Sequence, residues 1–107
     1  MSLDVYLNDR EEGCVFDYNI THNLNKMADA AGLYKVLWHP NANDFETAEQ
    51  MIPVLKEGLL ELVCNEDHYK TFNPENGWGS YDGLVKFVSK YLNACTRYPN
   101  ATVEVSR

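Results

Sequence analysis

The sequence predicts an α+β fold: a small three-stranded antiparallel sheet, made of a β-hairpin plus a C-terminal strand, packed on one face by three to four helices. Three observations lead there. Apolar residues alternate with period 2 at both ends, in "SLDVYL" and "TVEV". Between those ends the period changes to 3.6. The chain has 107 residues, which suits one domain spanning 1–107 with one core.

The elements follow in order. In residues 2–8, Leu3, Val5 and Leu7 face one way and Asp4 and Tyr6 the other. "NDREEG" is a polar turn, and "CVFDYNI" supplies an antiparallel partner over 13–19. Leu24, Met27, Ala28 and Ala31 then recur at i, i+3, i+4 and i+7, which predicts a helix over 22–31. Thr21 is its N-cap and Gly32 its C′ residue. "LYKVLWHPNAND" is an apolar stretch that ends at Pro40 and leads into a loop.

A second helix is predicted over 45–64, with Ala48, Met51, Ile52, Leu55, Leu59, Leu62 and Val63 inward. Pro53 has no N–H for the carbonyl of Glu49, so either the helix kinks or two helices meet near Ile52. "NEDHYKTFNPENGWG" is a long connection with a turn of helix at Asp67–Thr71. Ser80 caps a third helix over 80–96, whose inner face is Leu84, Phe87, Val88, Tyr91, Leu92 and Cys95. The strand over 101–106 returns beside the first or second strand, because a hairpin alone is marginal. The expected core is Leu24, Met27, Leu55, Leu59, Leu84, Phe87, Val88 and Leu92.

Composition narrows the function classes. A hydrophobic fraction of 45% excludes a disordered chain. No apolar run approaches the ~18 residues of a membrane span, and no signal-peptide h-region is visible, so a cytosolic location is expected. The net charge of −7 repels phosphate backbones and argues against direct nucleic-acid binding. That charge is uneven: residues 76–107 hold two acids against four bases, and the rest of the chain is acidic. Cys14, Cys64 and Cys95 lack disulfide or zinc spacing and are expected as free, mostly buried thiols. His22, His39 and His68 show no metal spacing, and neither a metal nor a cofactor is expected.

Three polar clusters fall at element boundaries. "NITHN" places Asn19, His22 and Asn23 at a strand-to-helix junction. "WHP" places Trp38 at the end of an apolar run. "FNPENGWGSYDG" sets Asn76, Trp78, Ser80 and Tyr81 around two glycines just before a helix. Glycine lets the backbone approach closely, and a tryptophan offers a flat face for a ring to stack on. The Asn19–Asn23 cluster also reads as ordinary helix capping, and Trp78 as an anchor that pins its own loop to the core. For catalysis, His22 with Asp17 or Asp82, and Cys14 or Ser80 as nucleophile, are the combinations available, and nothing in their spacing selects them.

"MSLDVYL", "ITHNLNKMADAAGLYKVLWHP" and "NPENGWGSYDGLVKFVSKYLNAC" resemble a family of small proteins encoded by phages and prophages. The resemblance covers most of the chain and is weakest at "NDREEGCVFDY" and "NANDFETAEQ". It implies an accessory protein acting in the cytosol of the bacterial host, and it brings no catalytic residues. The leading expectation is a non-enzymatic domain that binds a nucleotide-like or other small polar ligand. In it Trp78 stacks, Asn23 and Asn76 read polar edges, and backbone N–H groups near His22 and Ser80 hold an anion. The rival is an acidic module that occupies a basic groove of a host protein.

Overall fold

The computed structural model describes residues 2–107. It contains a three-stranded antiparallel sheet with helices on one face, the α+β arrangement that the two periods predict. Strand β1 (Ser2–Asp9) and strand β2 (Gly13–Thr21) form the hairpin, and β3 (Thr102–Ser106) closes the sheet in the order β2-β1-β3. The last strand therefore returns beside the first.

Register sorts the side chains. Leu3 pairs with Ile20, Val5 with Tyr18 and Val105, and Leu7 with Phe16 and Val103. Because paired residues share a face, these form the apolar side. Asp4 opposite Asn19, and Tyr6 between Asp17 and Glu104, form the other side.

Five α-helices cover the apolar face: α1 (Asn25–Ala30), α2 (Tyr34–Trp38), α3 (Ala48–Cys64), α4 (Glu66–Lys70) and α5 (Tyr81–Arg97). Thr21 caps the 3-10 turn His22–Leu24 that opens α1, its Oγ1 accepting from the Asn23 N–H at 3.3 Å. Gly32, at φ 78°, ends α1 in a Schellman motif, in which the Leu33 N–H reaches the Ala28 carbonyl and the Gly32 N–H that of Asp29. Helices α3 and α5 pack together, and α5 also rests on β2. Leu24, Met27, Leu55, Leu84, Phe87 and Val88 are buried as expected.

Four details differ from the sequence reading. Helix α2 lies where only an apolar run was read, since five residues are too few to show a period. Helix α3 begins at Ala48, because residues 46 and 47 run extended beside β3: the Val103 N–H bonds to the Glu46 carbonyl, and Thr47 bridges Thr102. Gln50 reaches back to the N–H groups of Glu46 and Thr47 at 2.7 and 3.2 Å. Pro53 neither breaks nor divides α3; Glu49 and Pro53 are both exposed, so water reaches the carbonyl that Pro53 leaves unpaired. Leu59 and Leu92 are only partly buried, Val63 is exposed, and of the three thiols Cys95 alone is buried.

No helix among the described residues is long and apolar enough to cross a membrane. Phe87 is fully buried, and Phe87→Ala is expected to cost about 3–5 kcal/mol in denaturant melts.

Burial also sets a pH limit. It pushes the Cys95 thiol from 9.0 up to about 12. Burial, reinforced by the hydrogen bond to Glu61, lifts Tyr69 from 10.0 to about 12. Burial raises Tyr81 and Tyr91 as well. Each raised value means that the unfolded chain ionises first. The stabilisation is complete below the unfolded pKa and is lost as pH climbs toward the folded one. Stability is expected to fall from about pH 9 upward, by up to about 1.4 kcal/mol per pH unit for each group. Urea melts at neutral pH and above pH 10 measure it; equal stabilities contradict the burial of these groups.

Candidate functional site

The site begins with how the Gly-Trp-Gly loop seats. Asn73 Oδ1 accepts the Tyr81 N–H at 2.7 Å, and Asn76 Oδ1 accepts the Trp78 N–H at 3.0 Å, so two Asx side chains set the loop's path. Gly77 and Gly79 take positive φ of 76° and 93°. A Cβ on Gly79 would lie 2.7 Å from Thr21 Cγ2 and 3.0 Å from Leu24 Cγ. Glycine is therefore needed at 79 both for its backbone angle and for the close approach to the start of α1. Trp78, between the two, is left 69% exposed.

That docking joins the "THN" and "GWG" segments. Ser2, Asn19, Thr21, His22, Asn23 and Trp78 line one open hollow of about 620 Å³. Asn19 Nδ2 donates to Ser2 Oγ at 2.9 Å and to Asp4 Oδ1 at 2.8 Å. An ionised carboxylate only accepts, so the amide orientation is determined and Asn19 Oδ1 remains free to accept from a ligand. The Asn23 amide makes no hydrogen bond to protein among the described residues, leaving both its donor and its acceptor available. The His22 and Trp38 rings meet in a T-shaped arrangement with centroids 6.2 Å apart, and His22 Nε2 is buried without a partner among the described residues. Buried polar atoms are seldom left so.

A second hollow, of about 700 Å³, adjoins the first and shares His22 and Asn23 with it. Asn25 and Lys26 line it on the α1 side and residues 71–76 on the other, so Asn76 lines this hollow and not the one that Trp78 lines. Among the described residues, Lys26 is the one lysine or arginine lining either hollow.

Three of the expected site residues serve the fold instead. Trp38 is buried and stacks on Tyr34 at 5.5 Å. The Tyr81 hydroxyl donates to the Leu62 carbonyl at 2.7 Å from inside the core. Ser80 Oγ accepts the Gly83 N–H at 3.1 Å as the N-cap of α5.

Of the backbone N–H groups expected to hold an anion at the two helix starts, that of Asn23 is already taken by Thr21 Oγ1. The Tyr81 and Gly83 N–H groups of α5 are occupied, and Asp82 adds negative charge in its first turn. Helix α1 has only six residues, too short to rely on for a macrodipole. Among the described residues, His22 Nε2 has no hydrogen-bond partner, and Cys14 Sγ donates to the Phe16 carbonyl at 3.5 Å. No three His, Cys, Asp or Glu side chains converge on a metal position among the described residues.

Sequence reasoning missed Ser2, Thr21, Asn25 and Lys26 as lining residues. Strand pairing supplies the signal for Ser2, which sits opposite Thr21 across the hairpin.

Gly79→Ala is expected to destabilise by more than the about 1–2 kcal/mol that a left-handed backbone alone costs a residue with a Cβ. Gly77→Ala meets no atom within 4 Å and stays near that cost. Trp78→Ala, at an exposed position, changes stability by about 0.5 kcal/mol or less. Urea melts rank the three, and a Trp78 variant as damaged as the Gly79 one contradicts the docked loop. No protein-family model, curated protein or solved structure matches the chain, so the geometry and chemistry of this site carry the functional reading.

Proposed function

We propose that this protein binds a small ligand with a flat polar ring of the nucleobase type, stacked on Trp78. The observation that carries the reading is the meeting of distant segments: an exposed tryptophan lines the same hollow as Asn19, His22 and Asn23. A large apolar face left in water costs free energy, and a stacking ring recovers about 1–3 kcal/mol of it. Asn19 Oδ1 accepts from an exocyclic amine or a ring N–H, and the Asn23 amide pairs with a neighbouring donor and acceptor. In the phage setting that the sequence resemblance suggests, the protein acts in the host cytosol by sequestering a host small molecule.

The rival reading, an acidic module blocking a basic groove on a host protein, draws on the outer sheet face, where Asp4, Asp17 and Glu104 lie together. It needs neither Trp78 nor the hollow.

Calorimetric titration with a panel of purine and pyrimidine nucleosides tests the proposal. Trp78→Ala and Asn23→Ala are each expected to weaken binding about tenfold or more while leaving the melts near wild type. Binding that survives Trp78→Ala unchanged would falsify the stacking role. Loss of partner capture on Asp17→Lys and Glu104→Lys, with no nucleoside bound by the wild type, favours the blocking module.

A further inference from the structure

We infer that the ligand is a nucleoside monophosphate rather than a free nucleoside, lying with its ring over Trp78 and its phosphate at Lys26. The inference rests on the ring-binding reading above and adds the ligand's polarity and charge. The two hollows share His22 and Asn23 and so lie side by side, one lined by the aromatic face of Trp78 and the other by the cation of Lys26. Lys26 is exposed and makes no ion pair; the single ion pair among the described residues joins Lys70 to Glu66 at 2.9 Å. Its ammonium is therefore free to accept an anion.

The surrounding charge decides which way the ligand lies. Behind the Trp78 end, Asp4 is hydrogen-bonded to Asn19, and no lysine or arginine among the described residues lines that hollow to offset the carboxylate for a phosphate. At the other end Lys26 stands beside the amide of Asn25, a donor for phosphate oxygens. The charge also limits the phosphate count. Glu75 lines the same hollow, and Asp29 lines a smaller one that shares Lys26. One lysine with two carboxylates near it offers a contact to one phosphate group at most, and a chain of net charge −7 repels each further one.

The test is calorimetric titration of adenosine, AMP and ATP, with guanosine and GMP as a second pair and sodium phosphate alone as the ion control, against wild type, Lys26→Gln and Trp78→Ala. Wild type is expected to bind the monophosphate about tenfold more tightly than its nucleoside, and more tightly than the triphosphate, with an advantage that shrinks as salt is added. Lys26→Gln loses that advantage and keeps the wild-type affinity for the nucleoside. Equal affinities for nucleoside and monophosphate in wild type, or an advantage that persists in Lys26→Gln, overturn the phosphate assignment. If Trp78→Ala still abolishes nucleoside binding in that case, the ring site stands without it. If wild type binds neither nucleosides nor nucleotides, both readings fall. Circular dichroism melts of the two variants confirm that each is folded during titration.

Discussion

The stack of aromatic rings between β2 and α5 is the interaction on which the rest of the molecule depends. Phe16 lies on Tyr91 with ring centroids 5.3 Å apart, Tyr91 on Phe87 at 5.4 Å, and Phe87 against Tyr18 at 5.0 Å. Large rings dominate core energetics, and these sit where the longest contact between helix and sheet is made. They seat α5 along β2. The Tyr91 hydroxyl then reaches Met51 Sδ at 3.7 Å, and the Tyr81 hydroxyl reaches the Leu62 carbonyl, so the same helix holds both ends of α3.

Seating α5 places its N-terminus, and with it the loop that precedes it. The strand that packs on α5 leads directly into the "THN" turn. Both walls of the Trp78 hollow therefore issue from one β2–α5 pairing: Asn19 to Asn23 from the end of the strand, and Trp78 from the approach to the helix. The loop needs few bonds of its own because Asn73 and Asn76 hold its path and Gly79 seats it on Thr21 and Leu24. A site built on a strand end and a helix start keeps its geometry better than one carried on a free loop.

The charge distribution acts on this frame without building it. The final third of the chain carries the excess of bases, yet at the start of α5 the Tyr81 and Gly83 N–H groups are taken by Asn73 and Ser80. The one lysine or arginine that lines these two hollows among the described residues comes instead from α1, in an otherwise acidic segment. An isolated charge among opposite ones is a sharper selector than a basic patch, because it attracts one anionic group and repels the approach of several.

The amino-acid sequence by itself determined what depends on neighbours in the chain. Period 2 in "SLDVYL" and "TVEV", period 3.6 from Leu24 and from Leu84, the caps at Thr21 and Ser80 and the left-handed stop at Gly32 are local rules, and the structure follows each of them. Asn19, His22, Asn23 and Trp78 were legible as polar or stacking groups at element boundaries for the same reason. What crosses the chain was not legible. The start of α3 depends on bonds from Ala48 and Glu49 to the carbonyls of Ala101 and Pro99, beyond the reach of any local pattern. Trp38 and Trp78 are equivalent as letters. Packing against Tyr34 and His22 buries one, and the two flanking glycines hold the other out in water. Lys26 reads as one more solvated lysine until the loop comes to lie across from it, because a charge becomes part of a site only when the fold supplies the opposite wall.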